Sequence, residues 1–214
     1  MNRARWTRVV CVTALLAFAA VPLALASAAV ADPSVQSTAT VANGAELRQQ
    51  WGIINNTVIT LTADIQFGSG LDDNCADPYR GVGGSGIVID GQGLYGIEQT
   101  CDFTRVLLDE GVEHVTLTGL THFTGGQACG AGGGLYTNGA ATVENSLING
   151  NVASGTAACA NSAGVGAQAI ETDPVGGGIY SDVGGVDVVR SSIQSNHADL
   201  AGGGVASVSG ATVT

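Results

Sequence analysis

Three glycines followed by an apolar residue occur three times in this chain, as Gly132-Gly133-Gly134-Leu135-Tyr136, Gly176-Gly177-Gly178-Ile179-Tyr180 and Gly202-Gly203-Gly204-Val205-Ala206. A motif that recurs with its surroundings marks a repeat, and a repeat constrains the fold before any single residue does. The surroundings do recur. Val143-Glu144-Asn145-Ser146-Leu147-Ile148-Asn149-Gly150-Asn151 aligns with Val188-Val189-Arg190-Ser191-Ser192-Ile193-Gln194-Ser195-Asn196, and the segment His114–Phe123 is a looser copy. Each unit reads as a short alternating strand, an Asn or Gly turn, a glycine run and a second short strand.

Short strands with one apolar face bury little alone, so such units must stack. Glycines at fixed places supply positive φ and let backbones come close at corners. Aligned Asn side chains in neighbouring units can hydrogen-bond in a ladder. The triplets at Gly176 and Gly202 are 26 residues apart, a length suited to one three-sided coil, whereas those at Gly132 and Gly176 are 44 apart. The segment 152–175, rich in Ala, Gly and Ser, is read as an insertion in that coil.

Residues 1–31 read as a secretory signal, with Arg3, Arg5 and Arg8 before a long apolar run and two small-x-small cleavage sites. Residues 32–44 form a polar lead-in, and 45–214 the repeat domain, of which 45–67 hold a cap and first strand and 86–214 the coils. Ala45-Glu46-Leu47-Arg48-Gln49-Gln50-Trp51 is a helical segment with Leu47 and Trp51 on one face, suited to covering the open end of a stack. The final Gly-Ala-Thr-Val-Thr copies the start of a coil, so the chain is expected to be C-terminally truncated, with its last coil incomplete.

The chain lacks lysine, and without the leader only four Arg face 18 acidic residues. Such a balance disfavours nucleic acid and anionic lipid as partners. No membrane span is expected after signal cleavage, and the product is expected to be secreted or held at the cell surface. Cys75, Cys101, Cys129 and Cys159 remain after the leader, and an even count in an exported chain suggests two disulfides. Of three connectivities, Cys75–Cys101 with Cys129–Cys159 is favoured, because each joins loops about one coil apart.

The units Ile89-Asp90-Gly91-Gln92-Gly93, Val115-Thr116-Leu117-Thr118-Gly119-Leu120-Thr121 and Ser-x-Ile-x-x-Asn…Gly-Gly-Gly-Ile-Tyr resemble the right-handed parallel β-helix proteins of the pectin-lyase-like fold. More narrowly, they resemble secreted bacterial proteins with polymorphic outer-membrane-protein-like repeats. The resemblance covers about residues 40–214 and implies an all-β, right-handed parallel β-helix with a short N-terminal helical cap, formed by Glu46-Leu47-Arg48-Gln49. It implies little about function, because that family mixes adhesins, surface proteins and polysaccharide-degrading enzymes.

Two function classes follow. A binding or structural, adhesin-like protein needs long faces and loops offered to a glycan or to a neighbouring surface protein; Tyr95, Tyr136 and Tyr180 could stack on sugars, although Tyr136 and Tyr180 occupy equivalent repeat positions and are expected to stack on each other. A polysaccharide lyase or glycoside hydrolase needs converging carboxylates, and the candidates are Asp90, Asp102, Asp109 and Glu110 with Arg105 as cation. The binding role is the expected one, with no catalysis in this segment. No organic cofactor is expected. Asp72, Asp73, Asn74 and Asp77 place four oxygen side chains in six residues of a Gly-bounded loop, which suits Ca²⁺.

Overall fold

The computed structural model describes residues 37–51, 57–68, 80–81, 86–111, 114–155 and 173–214. Contacts divide the chain into two units, 1–32 and 33–214, and all described residues belong to the second. Its described residues form parallel strands and one helix.

The chain makes successive passes. The first contains β1 (Ser37–Val41) and α1 (Gly44–Trp51), and the second β2 (Thr57–Leu61), β3 (Ile65–Phe67) and β4 (Arg80–Gly81). The third has β5 (Ile87–Asp90), β6 (Ile97–Gln99) and β7 (Leu107–Asp109). The fourth adds one strand, running β8 (Val115–Thr118), β9 (Phe123–Thr124), β10 (Gln127–Cys129) and β11 (Leu135–Thr137). The fifth repeats that order with β12 (Ala141–Glu144), β13 (Leu147–Asn149), β14 (Val152–Ser154) and β15 (Ile179–Ser181). The sixth comprises β16 (Val186–Val189), β17 (Ser192–Gln194), β18 (His197–Ala198) and β19 (Val205–Ser207), followed by β20 (Ala211–Val213). Equivalent strands of successive passes pair in parallel, giving sheets ordered β1-β2-β5-β8-β12-β16-β20, β3-β6-β9-β13-β17, β4-β7-β11-β15-β19 and β10-β14-β18.

Three features depart from the sequence reading. Ser37–Val41, inside the expected polar lead-in, is a strand paired residue for residue with β2. The later passes have a fourth short strand where three-sided coils were expected; its members are two or three residues long, too short to show alternation. Val152–Ser154, inside the expected insertion, is one of them. Leu135 pairs directly with Ile179 and Ala141 with Val186, so the described strands before and after 156–172 belong to neighbouring passes; the middle of the expected insertion lies outside the described residues.

Alternation decides which side chains face inward. In the seven-stranded sheet Ile59, Leu61, Ile87, Ile89, Val115, Leu117, Ala141, Val143, Val186 and Val188 are buried, and all join one core with Phe67, Ile97, Phe123, Leu135, Ile148 and Ile179. Helix α1 adds Leu47 and Trp51 to that core. Its N-terminus is capped twice: Asn43 Oδ1 accepts from the Glu46 N–H at 2.9 Å, and Glu46 Oε2 accepts from the Ala42 N–H at 2.7 Å. Trp51 donates its indole N–H to the carbonyl of Leu108 at 3.0 Å, so the helix also satisfies a backbone acceptor in the sheet of β7.

Corners explain the repeat residues. After the strands of the large sheet one residue is left-handed: Gly119 (φ 62), Asn145 (φ 47) or Arg190 (φ 47). The glycine triplets combine two demands. Gly132, Gly176 and Gly202 have φ of 69, 63 and 62. The next two glycines allow close approach: a Cβ on Gly133 would lie 2.4 Å from the Gly177 carbonyl oxygen, and one on Gly178 would lie 2.5 Å from that of Gly204. Each triplet thus stacks on the next, as in the bonds from Gly133 N to Gly176 O (3.3 Å) and from Gly177 N to Gly202 O (3.2 Å).

Two side-chain ladders fix the register. Asn151, with no exposed surface, accepts from the Gly126 N–H at 3.0 Å and donates to the Phe123 carbonyl at 2.9 Å and to Asn196 Oδ1 at 3.0 Å. Asn196 donates in turn to the Ile148 carbonyl at 3.0 Å. Ser146 accepts from the Leu120 N–H at 3.0 Å, and Ser191 from the Ser146 N–H at 3.1 Å.

Candidate functional site

The outer face of the seven-stranded sheet is where side chains are offered in order. Because alternate residues point outward, parallel register lines them up in rows. One row runs Thr40, Thr60, Asp90, Thr118, Glu144, Val189, and its neighbour runs Thr38, Val58, Val88, Thr116, Thr142, Asp187, Thr212. All are half-buried or exposed. Neighbours within a row are about 4.8 Å apart by strand spacing, and rows about 6.6 Å apart by the two-residue rise. His114 joins the edge through a 2.7 Å contact between its Nε2 and Thr142 Oγ1. Hydroxyls and carboxylates so arranged can accept and donate hydrogen bonds along a polar chain laid across the strands. Thr116, Thr142, Glu144 and Asp187 were not singled out from sequence. The apolar-Thr alternation of Val115–Thr118 and Ala141–Glu144 contained the signal, but only the register sets those residues side by side.

Sequence-nominated residues lie in different environments. Asp90 is on this face, where Oδ1 accepts from the Gln92 N–H at 2.7 Å and closes the turn into left-handed Gln92 (φ 59). Asp109 belongs to a different sheet and is buried; its Oδ1 accepts from the Gly111 N–H at 3.0 Å and its Oδ2 from Thr137 Oγ1 at 2.8 Å. It heads an in-register line of Asp109, Thr137, Ser181 and Ser207 that ties strands to the turns after them. Arg105 is also buried: Nε donates to the Ala131 carbonyl at 2.9 Å, and the guanidinium lies 5.3 Å from the centroid of the Tyr136 ring. Burial lowers its pKa to about 10, against the opposing influence of Tyr136 and Glu110. Glu110 is half-buried near Arg105, and Asp102 is exposed at a turn. Asp90 and Asp109 therefore do not meet in one sheet face, and Arg105 is engaged with Ala131 and Tyr136.

Tyr136 stacks on Tyr180, with ring centroids 5.4 Å apart and planes tilted by 41°. Both rings are buried in a second cluster with Leu108 and Ala131, which removes them as sugar platforms. Tyr95 is half-buried against the main core. Cys101 and Cys129 are buried, whereas Cys75, Cys159 and the Ca²⁺ candidates Asp72, Asp73, Asn74 and Asp77 lie outside the described residues. Among the described residues, no three His, Cys, Asp or Glu side chains cluster as a metal site, and no helix is long and apolar enough to cross a membrane.

Compared with known proteins, the chain matches no family model, no curated protein and no solved structure.

Proposed function

We propose that this chain is a secreted or cell-surface binding or structural protein, adhesin-like, built as a right-handed parallel β-helix. The observation that carries the reading is the in-register polar face of the seven-stranded sheet, a long flat surface of hydroxyls and carboxylates suited to a glycan or a surface protein. Right-handed winding is supported by the parallel pairing of consecutive passes, since crossovers between parallel strands of one sheet almost always take that hand. The alternative, a polysaccharide lyase or hydrolase, would have to recruit Asp109 and Arg105 from the buried bonds they already make. The deciding experiment incubates the oxidised mature chain with a panel of neutral and acidic polysaccharides, with and without Ca²⁺. Unsaturated products, reducing ends and retention on the immobilised polymers are followed together. Retention without turnover is expected; turnover abolished by Asp90→Ala or Arg105→Ala would replace this reading with the enzymatic one.

Two disulfides, Cys75–Cys101 and Cys129–Cys159, belong to the same proposal. In support, Cys101 and Cys129 are both buried, as half-cystines usually are. A non-reduced peptide map should recover these two linkages, and a Cys101–Cys129 peptide would overturn the pairing.

A further inference from the structure

The five-stranded sheet β3-β6-β9-β13-β17 has an outer face of its own, past the left-handed corners that end the seven-stranded one. Ile65, Ile97, Phe123 and Ile148 are buried beneath it, so their chain neighbours point outward. One outward row runs Gln66, Glu98, Thr124, Asn149 and Gln194 in register. Two residues earlier on the same strands come Asp64, Gly96, His122, Leu147 and Ser192. Gly96 is not left-handed; what it supplies is room. A Cβ there would lie 2.3 Å from Nδ1 of His122 and 2.5 Å from both Cε1 and Cγ. Near-equal distances to three atoms of one ring put that point over the face of the ring. The imidazole therefore lies flat on Gly96, with one face against the backbone and the other turned outward. Thr121 Oγ1 holds its Nδ1 at 3.2 Å.

We propose that this face is a second binding site, one for an uncharged linear polysaccharide laid across the strands. A pyranose ring has an apolar C–H face and a hydroxyl edge, and the two rows match them. The flat imidazole of His122 and the half-buried Leu147 form an apolar strip. Glu98, Thr124 and Asn149 stand about 6.6 Å to one side of it, by the two-residue rise. Hydroxyls both donate and accept, as do the amides and the threonine of that row, while the carboxylate accepts. Gln66 Nε2 orients Glu98 by donating to its Oε2 at 3.0 Å, and Asn149 Oδ1 accepts no bond among the described residues. Sugar units of an extended chain are close in length to the strand spacing of about 4.8 Å, so successive units meet successive passes. Charge selects the class of chain. Lys and Arg are absent from both rows, and Asp64 and Glu98 would repel a uronate while leaving a neutral sugar unaffected. The site uses no residue of the seven-stranded face, so either can fail without the other.

The test titrates the full oxidised chain with cellohexaose, mannohexaose, chitohexaose and hexagalacturonate. Calorimetry gives the affinity, and the proton resonance at Cε1 of His122, assigned by its loss in His122→Ala, reports the place. At least one uncharged hexamer is expected to move that resonance saturably, and hexagalacturonate to bind at least about tenfold more weakly. His122→Ala removes the platform and Gly96→Ala displaces it, so each should lower affinity about tenfold; His122→Ala, at a half-exposed position, should keep its thermal midpoint within about 2 °C of the parent. Thr118→Arg, on the seven-stranded sheet, separates the two faces, and the response of His122 should survive it. Uncharged hexamers that leave the His122 resonance in place, or hexagalacturonate binding as tightly as they do, would overturn the proposal. Binding lost in Thr118→Arg but kept in His122→Ala would also overturn it, while leaving the seven-stranded face as the glycan site.

Discussion

Asn151 concentrates more of the register in one side chain than any apolar residue near it. It bonds two carbonyls, an N–H and the neighbouring Asn while fully buried. Asn151→Ala leaves those backbone groups without partners, so a loss of about 2–4 kcal/mol in equilibrium unfolding is expected, against about 1 kcal/mol for the half-buried Asn196→Ala. Arg190 presents the opposite case. It adopts a φ of 47 at the position that Gly119 fills with glycine. Its bond to Asn145 Oδ1 is exposed, so Arg190→Gly should raise stability by about 0.5–1 kcal/mol, read from denaturant midpoints. Asp199 gives a pH effect. Its carboxylate accepts from the Gly155 N–H at 2.8 Å and contacts His197 Nε2 at 3.1 Å, and these two bonds, the backbone one foremost, lower its pKa below the ordinary 3.8. A lowered folded-state pKa contributes above the unfolded value and is lost as pH falls through the folded one. The Gly155 amide resonance should therefore titrate below the ordinary carboxylate range in the parent and not in Asp199→Asn.

At the scale of elements, Trp51 is the test of the helix as a cap. Trp51→Phe keeps the ring packing but leaves the Leu108 carbonyl without its indole donor, and a loss of about 1–2 kcal/mol is expected in urea unfolding. The helix was legible because Leu47 and Trp51 are four apart among good helix formers. The strands Ile87–Asp90, Val115–Thr118 and Ala141–Glu144 were legible for the same kind of reason, each alternating cleanly over four residues. The Tyr136–Tyr180 contact and the Asn ladder followed from repeat alignment alone. Strands Gln127–Cys129 and His197–Ala198 were not legible: nothing in two or three residues separates them from a turn, and they lie between left-handed corners, Gly125 and Gly130 for the first and Ser195 and Gly202 for the second. The strand at Ser37–Val41 was missed because a polar edge strand lacks an apolar face on one side and most of one on the other. The candidate site was half legible. Asp90 could be nominated from its strand end, but its companions Thr118 and Glu144 come from later passes, and only the register joins them.

For the whole molecule, one geometric claim carries the rest: passes stack at a spacing that glycine alone permits, and everything offered on the outer faces inherits that register. Equilibrium unfolding of Gly177→Ala beside Gly203→Ala tests it most directly. The two glycines hold the same place in successive triplets, with equal sequence change and closely similar local propensity. A Cβ on Gly177 meets the His197 carbonyl oxygen at 2.1 Å, whereas one on Gly203 has its nearest neighbour among the described residues at 3.0 Å. The account predicts a loss of about 3 kcal/mol or more for Gly177→Ala and about 1 kcal/mol or less for Gly203→Ala. Equal losses at the two positions would contradict the stacked arrangement and, with it, the outer face that depends on it.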